Sequence, residues 1–214
     1  MENHRFYLST IAADAAGTAR QYALGLEIAE YCTACNMDEH FPETDAAVRE
    51  KLAGLTPIVC ANLPYNITTP AITALIEPKC FESITVLVQK EVAERLCAAP
   101  GTSAYGAFSV FMQYYTEPEY LFAVPRECFE PQPKVTSAVL RAVVRREPPV
   151  EVEDEKFFFR VVYAAFALRR KTLVNSLMTA FGSQLTKEQV TQAVTSCGLE
   201  ANIRGERLGL SEFA

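Results

Sequence analysis

Apolar residues follow strand-type patterns in some segments of this chain and helical spacing in others, and together these patterns predict an α/β fold. An apolar run at residues 57–61 leads directly into Asn62 and indicates a buried strand. Residues 83–88 are rich in β-branched side chains, which predicts a second strand, and residues 137–144 show the apolar–polar alternation of a third. Helical spacing separates these runs. Because strands alternate with helices, we expect an α/β domain.

Further elements follow from the same criteria. We predict strands at residues 23–28 and 119–124 and helices at residues 10–16, 44–53, 70–76, 90–98 and 103–115. The helix at 70–76 has Thr69 as a candidate cap and Pro70 at its first position, where the missing N–H is no loss. Residues 62–65 then lie at the carboxyl end of a strand. In open α/β sheets, that edge is where ligands bind.

The pattern changes at residues 145–155, a segment rich in proline and acidic residues, and strand signals stop beyond it. Residues 157–173 predict an aromatic helix whose rings wind round the axis, which favours core packing for them. Thr186 with Gln189 predicts a capping box, and Ser211 is a candidate cap for a final turn. We therefore expect three parts: an α/β domain at residues 1–146, a linker at 147–155 and a small all-helical domain at 156–214.

Composition narrows the class of protein. The chain has 214 residues, enough for one domain and a small second one, and half of them are apolar. No apolar run is long enough for a transmembrane helix, and the first residues lack the apolar segment of a signal peptide. Seven scattered cysteines, an odd number, are typical of reduced thiols. We expect a cytoplasmic protein that does not enter a membrane.

Charge is distributed unevenly along the chain. The formal net charge is −6, which argues against a general nucleic-acid binder. Residues 156–214, however, carry eight basic and four acidic side chains, whereas residues 1–155 carry 12 basic and 22 acidic ones. A basic C-terminal part is compatible with local contact to phosphates. An ordinary solvated helical surface is an equal alternative.

The tetrapeptide Asn62-Leu63-Pro64-Tyr65 is the strongest functional signal. An asparagine, two adjacent backbone carbonyls and an aromatic ring at a sheet edge suit the binding of a flat base that carries an exocyclic amine. With the residues up to Pro70, the motif resembles the KsgA-type ribosomal RNA adenine N6,N6-dimethyltransferase family, which acts on the small subunit. Other segments agree with that family in the same order: Val88–Leu96, Tyr105-Gly106, Phe129–Ser137, Arg169–Leu173 and Ile203–Leu208.

This resemblance implies a fold, a donor and a target. It implies a Rossmann-like methyltransferase domain followed by a helical RNA-binding domain, with S-adenosylmethionine as the methyl donor. The implied substrate is adenosine in a helix-capping loop of small-subunit (16S) ribosomal RNA, within the pre-30S particle during ribosome biogenesis. Related enzymes that methylate large-subunit RNA share a motif similar to this tetrapeptide, but the two C-terminal segments favour the small-subunit branch. We expect the chain to act as a monomer.

The chemistry assigns roles to the motif. The lone pair of an exocyclic adenine amine is delocalised into the ring, so acceptors aimed at its two N–H bonds favour a pyramidal, nucleophilic nitrogen. The side-chain oxygen of Asn62 and the backbone carbonyl of Leu63 or Pro64 can supply these acceptors. The Tyr65 ring offers a stacking surface for the extruded base, an effect of about 1–3 kcal/mol. By resemblance, Phe129 approaches the other face of the base. This chemistry needs no metal.

The cofactor half departs from the family pattern. The family carries a glycine-rich loop after its first strand, but here Leu26–Ile28 is followed by no glycine. Glu27, Asp38 and Asn62 are the candidate cofactor-binding residues. Only 61 residues precede Asn62, too few for the three expected strands with their helices, so this half is predicted to be incomplete. The interpretation that we favour is a sequence that joins segments of a longer chain; the alternatives are a deletion or a diverged RNA-binding protein that lacks the donor.

Basic residues supply the candidate RNA contacts: Lys134, Arg169, Arg170, Lys171, Arg204 and Arg207. The alternative for Lys134 is a solvent-exposed loop lysine. For Arg204 and Arg207 it is a structural ion-pair cluster with Glu206. Cys32 and Cys35, with His4 and His40, could be interpreted as a zinc site, but zinc usually needs a second ligand pair at regular spacing. We therefore expect no metal. A donor-deficient ribosome-assembly RNA-binding protein is the alternative function.

Overall fold

The structure, a computed structural model, describes residues 8–9 and 58–214. The elements predicted at 10–16, 23–28 and 44–53 lie outside these residues. Backbone contacts group the described residues into two compact units, the first holding those up to Ala93 with Thr116–Arg146, the second Glu94–Tyr115 with Glu147–Ala214. The end of the α/β domain predicted from the sequence also falls at residue 146. It assigns residues 94–115 to the first domain, whereas these contacts group them with the C-terminal helices.

The first unit contains a mixed sheet that confirms the α/β class. Its strands are β1 (Leu8–Ser9), β2 (Ile58–Asn62), β3 (Ser83–Gln89), β4 (Thr116–Val124) and β5 (Ser137–Val144). Their order is β1-β2-β3-β5-β4. Strands β2 and β3 are parallel, and the other neighbours are antiparallel. The carboxyl ends of β2 and β3 and the start of β5 therefore share one edge, where Asn62 pairs with Leu87 and Gln89 with Ser137.

Alternation along the central strands explains why they form a sheet. Ile84, Val86 and Val88 of β3 are at most 1% exposed, while the residues between them are partly exposed. Strand β5 presents Ala138, Leu140 and Ala142 to the same buried face. Burying one face of each strand fixes the register, because a one-residue slip would turn these side chains to the opposite face.

Helix α1 (Thr68–Ile76) follows the tetrapeptide, but it begins differently from the prediction. Its N-cap is Ile67, without a side-chain cap, so Thr69 as the cap was wrong and Pro70 is the third helical residue. The Thr68 hydroxyl, one residue before Thr69, instead donates to the Pro64 carbonyl at 3.2 Å and so links the start of the helix to the loop.

The second unit is helical. Its helices are α3 (Ala107–Tyr115), α4 (Glu155–Ala167), α5 (Leu173–Phe181), α6 (Lys187–Ser196) and α7 (Leu210–Phe213), while α2 (Lys90–Leu96) spans the boundary between the units. The capping box of Thr186 and Gln189 is confirmed. Ser211 as a cap was wrong, because Gly209 precedes α7 and its N–H donates to Glu212 at 2.9 Å. Across residues 58–214, no helix has the length and apolarity needed to cross a membrane.

Two apolar clusters form the core of this unit. One surrounds α5, with Leu177 and Phe181 among its members, and the other contains Tyr105 and Phe158. Phe158 is buried as predicted, but Tyr163, like Phe157, is 53% exposed, so core packing was wrong for these two rings. Short 3-10 turns lie at Arg126–Cys128 in the first unit and Gly205–Arg207 in the second.

Candidate active site

The tetrapeptide lies where the sequence places it, in the loop after β2. Asn62 is the last residue of this strand and its side chain is exposed. Leu63 is buried, and its N–H donates to the Leu87 carbonyl at 3.1 Å, which prolongs the pairing with β3. Pro64 and Tyr65 are half-buried. The asparagine amide is thus presented to solvent at the carboxyl edge of two parallel strands.

Backbone contacts distinguish the two predicted carbonyl acceptors. The Pro64 carbonyl accepts from the Ile67 N–H at 3.2 Å and from the Thr68 hydroxyl at 3.2 Å. A carbonyl has two lone pairs, and both are used here within the turn. The Leu63 carbonyl is therefore the better candidate to accept a hydrogen bond from a base.

Tyr65 is held at its hydroxyl, which shares a 2.6 Å hydrogen bond with Ser137 Oγ. The Thr68 hydroxyl has one hydrogen and lies nearer the Pro64 carbonyl, at 3.2 Å, than the Tyr65 carbonyl, at 3.4 Å. Ser137 is the first residue of β5 and is fully buried. The tyrosine hydroxyl is thus bonded to a strand that starts at this edge of the sheet.

Phe129 and Lys134 lie in the connection from β4 to β5. Phe129 is half-buried, and its N–H donates to the Arg126 carbonyl at 3.2 Å, which closes the 3-10 turn. Lys134 is exposed, and two residues later the Thr136 carbonyl accepts from the Lys90 N–H at 3.0 Å. The segment therefore returns to the edge that carries Asn62.

The predicted RNA-binding residues of the second unit lie in two turns. Arg169, Arg170 and Lys171 are exposed in the turn after α4, and Arg204 and Arg207 are exposed at the Gly205–Arg207 turn. Glu206 joins the turns: its carboxylate oxygens lie 3.5 Å from Arg169 Nε and 3.8 Å from Arg204 Nη1. The ion-pair cluster thus contains Arg169 rather than Arg207. Pairs this exposed contribute about 0–1 kcal/mol, so pairing does not remove these arginines from phosphate binding.

The remaining candidates lie outside the described residues. They are Glu27 and Asp38, proposed for the cofactor, and His4, Cys32, Cys35 and His40, weighed as a zinc site. Within residues 58–214, no group of three or more His, Cys, Asp or Glu side chains could hold a metal ion. Of the candidate cofactor-binding residues, Asn62 alone lies within the described residues, and its exposed position at the end of a parallel strand fits the ligand-binding edge of such sheets.

Comparison with known proteins identifies the family. The model of the family described as ribosomal RNA adenine dimethylase matches residues 37–208. This chain belongs to the ribosomal RNA adenine dimethylase family. A protein of a Geobacillus species, named ribosomal RNA small subunit methyltransferase A, is 48% identical over 170 residues, covering 78% of this chain and 58% of that protein. One of the same name from Streptococcus thermophilus is 50% identical over 158 residues, covering 73% and 54%. The chain thus spans little more than half the length of these relatives.

Solved structures show the fold of this family member. A dimethyladenosine transferase from Plasmodium falciparum has a TM-score of 0.61 at 20% identity, covering 91% of this chain and 76% of that one. The 23S rRNA methyltransferase ErmE has a TM-score of 0.52 at 25% identity, covering 82% and 78%. The Rossmann-like methyltransferase fold predicted from the sequence is confirmed.

Sequence reasoning missed two residues of this site. Ser137 closes the segment Phe129–Ser137, but nothing in its spacing indicates that it meets Tyr65, 72 residues away. Thr68 was assigned only to a helix start, whereas its hydroxyl donates to the loop carbonyls. Both are small hydroxyl residues that are almost fully buried, and this burial is visible only in the folded structure.

Proposed function

We propose that this chain dimethylates the N6 nitrogen of adenosines in small-subunit ribosomal RNA, using S-adenosylmethionine, during ribosome assembly in the cytoplasm. The observation that carries this proposal is the exposed Asn62 at the carboxyl edge of β2, followed by a Tyr65 whose hydroxyl is bonded to Ser137. Membership of the adenine dimethylase family supports the reaction class. The names of the relatives support the small subunit as the source of the RNA.

The loop acts on the base through two acceptors and a ring. The Asn62 side-chain oxygen and the Leu63 carbonyl accept the two amine hydrogens, which frees the nitrogen lone pair. The base must leave its stack to arrive there, and the Tyr65 ring offsets part of that loss by stacking, worth about 1–3 kcal/mol. Phe129 encloses the base from the other side. After the first transfer the nitrogen keeps a single N–H, so one acceptor holds it for the second transfer while the pocket leaves room for the first methyl group.

Donor binding is assigned to Glu27, Asp38 and Asn62. When bound, S-adenosylmethionine supplies an electrophilic methyl group. The chain's own contribution is to hold the adenine nitrogen in line with that group, a positioning effect worth up to about 7–11 kcal/mol in well-oriented reactions. Asn62 is suited to both tasks because it is exposed at the edge where the two ligands must meet.

RNA binding is assigned to Lys134, Arg169, Arg170, Lys171, Arg204 and Arg207, all exposed. Their contacts are with phosphates, so they supply affinity and orientation rather than sequence selection. Affinity for the pre-30S particle should therefore fall steeply with salt. The chain would do this as a monomer.

Asn62→Ala tests the proposal, with Asn66→Ala as the matched control. Both asparagines are exposed, but Asn62 is the last residue of β2, whereas Asn66 lies in the loop that follows. We expect Asn62→Ala to lower methyl transfer to unmethylated small-subunit particles by about 100-fold or more, as for loss of a transition-state hydrogen bond. RNA affinity should stay within about twofold, because phosphate contacts dominate it. Undiminished turnover in the Asn62→Ala variant would contradict the role assigned to Asn62.

A second function has one observation in its favour. Leu26–Ile28 continues into Ala29-Glu30-Tyr31, without the glycines that allow close approach to the cofactor. A donor-deficient assembly protein would keep the base pocket and bind RNA only. Calorimetric titration separates the two functions: no heat at millimolar S-adenosylmethionine, with retained binding to pre-30S particles, supports the second and refutes the first.

A further inference from the structure

Ser137 lies buried beside the proposed base-binding loop. It is fully buried, and its Oγ lies 2.6 Å from the Tyr65 hydroxyl. Few polar side chains of the described residues are buried in this way, the others being Thr68, Ser109, Thr116 and Ser176. A buried hydroxyl without a partner is unfavourable by about 1–3 kcal/mol, so Ser137 and Tyr65 each supply what the other needs.

The sheet gives Ser137 a fixed position from which to hold the ring. In β5 it pairs with Gln89 of β3 on one side and with Val124 of β4 on the other. The residue before it, Thr136, accepts a hydrogen bond from the Lys90 N–H at 3.0 Å. A serine between two paired strands has little freedom to move, so its hydroxyl is a rigid anchor.

Tyr65 lacks such support from its own backbone. It lies in the loop between β2 and α1 and is only half-buried. A loop side chain that exposes one side to solvent can rotate unless its far end is held. The bond to Ser137 holds that end.

We propose that Ser137 is a positioning residue that fixes the Tyr65 ring in the orientation on which the target adenine stacks. This inference rests on the proposed function, because it assumes that the ring receives a base. It assigns no chemical step to either hydroxyl. The tyrosine hydroxyl serves only to tether the ring to β5.

Kinetics of two matched variants test the proposal. Ser137→Ala and Tyr65→Phe each remove one hydroxyl and keep the rest of the side chain. Each should lower kcat for methyl transfer about tenfold, equivalent to about 1.4 kcal/mol in the barrier, with KM for the RNA within about twofold. The double variant should be no worse than either single one, since both remove the same bond. Ser137→Thr, which keeps a hydroxyl, should restore most of kcat.

Ser109→Ala controls for the loss of a buried hydroxyl as such. Ser109 is equally buried and donates to the Arg95 carbonyl at 2.5 Å in the second unit. It should lower the unfolding midpoint about as much as Ser137→Ala while leaving kcat unchanged. Additive effects of Ser137→Ala and Tyr65→Phe, or an unchanged kcat in Ser137→Ala, would overturn the proposal.

A readout without donor or RNA separates this inference from the proposed function. Nuclear magnetic resonance of carbon-13-labelled tyrosine reports the ring of Tyr65 in the free protein. We expect a single ordered ring signal in the wild type and a shifted, exchange-averaged one in Ser137→Ala. An identical ring signal in both proteins overturns the positioning role even if methylation is found. If wild-type methylation is absent while the ring signal changes as expected, the proposed function fails and the tether stands.

Discussion

Removal of one buried hydroxyl should weaken the helical unit by a predictable amount. The Tyr105 ring is fully buried, its hydroxyl donates to the Leu208 carbonyl at 2.9 Å, and it meets Phe166 edge-on. Tyr105→Phe keeps the ring contact and leaves the carbonyl without this donor. An unsatisfied buried polar group is unfavourable by about 1–3 kcal/mol, so we expect the free energy of unfolding to fall by that amount at neutral pH.

The same tyrosine should make stability depend on alkaline pH. Burial, and secondarily the charge of Glu212, raise the pKa of Tyr105 from 10.0 to about 12. A raised pKa means that the folded state favours the protonated hydroxyl. The stabilisation is therefore complete below about pH 10 and is lost as the pH rises towards 12. At about pH 11 the unfolded tyrosine is largely ionised, and the wild type should have lost about 1.4 kcal/mol through this residue.

Urea unfolding followed by far-ultraviolet circular dichroism measures both effects. The wild type should exceed Tyr105→Phe by about 1–3 kcal/mol at about pH 8, and this difference should shrink by about 1.4 kcal/mol at about pH 11. Burial also raises the pKa of Tyr114 and of Tyr163, but both remain in the variant and cancel in the comparison. Tyr120→Phe, on β4, should change the free energy of unfolding at about pH 8 by less than about 0.5 kcal/mol. A difference that is constant with pH would refute the linkage argument.

Two further substitutions test packing and capping in the same unit. A Cβ added at Gly205 would lie 2.7 Å from the Ala165 carbonyl oxygen. Gly205→Ala should therefore lower the free energy of unfolding by about 1–3 kcal/mol, which a lower melting temperature would show. Gly106→Ala, with nothing within 4 Å, should change it by less than about 0.5 kcal/mol, and equal losses would contradict the clash. Thr186→Ala removes the capping box of α6 and should lower the free energy of unfolding in urea by about 1 kcal/mol; no change relative to Thr195→Ala would exclude a stabilising cap.

The central strands were predictable because burial of one sheet face requires a recognisable pattern of apolar residues in the sequence. Residues 83–88 and 137–144 carry β-branched or alternating side chains, and both became strands with one buried face. Their adjacency was not predictable. Strand β3 pairs with β5 rather than with β4, which comes next along the chain, and local patterns carry no information about such distant pairing.

The helical unit shows why helix limits are harder to predict than helices themselves. Residues 157–173 were predicted as one helix, but α4 ends at Ala167 and Thr172 caps α5. Arginine and lysine favour helices, so the intervening Arg169–Lys171 gives no local signal of a turn. A long-range contact lies at this break: the Leu173 N–H, at the start of α5, donates to the Ile203 carbonyl at 2.7 Å.

The candidate site likewise has some features that the sequence predicted and others that depend on the fold. The position of Asn62 at a strand end followed from its neighbours, since an apolar run precedes it and a helix follows. The choice of the Leu63 carbonyl over that of Pro64 depends on a turn closed by Thr68, and the orientation of Tyr65 depends on a strand 72 residues away. Sequence therefore predicts which groups reach the edge, whereas only the fold decides which lone pairs and rings remain available.

The residues assigned to base recognition share one edge of the sheet. Asn62, Tyr65 and Ser137 all belong to the first unit, and backbone hydrogen bonds from Leu63 to Leu87 and from Lys90 to Thr136 hold their edge. Asn62 is assigned to both the donor and the base, whereas Tyr65 and Ser137 are assigned to the base alone. Both candidate functions therefore require the same base pocket and differ in donor affinity, so loss of donor binding through residues other than Asn62 would leave an RNA-binding protein with an unaltered base site.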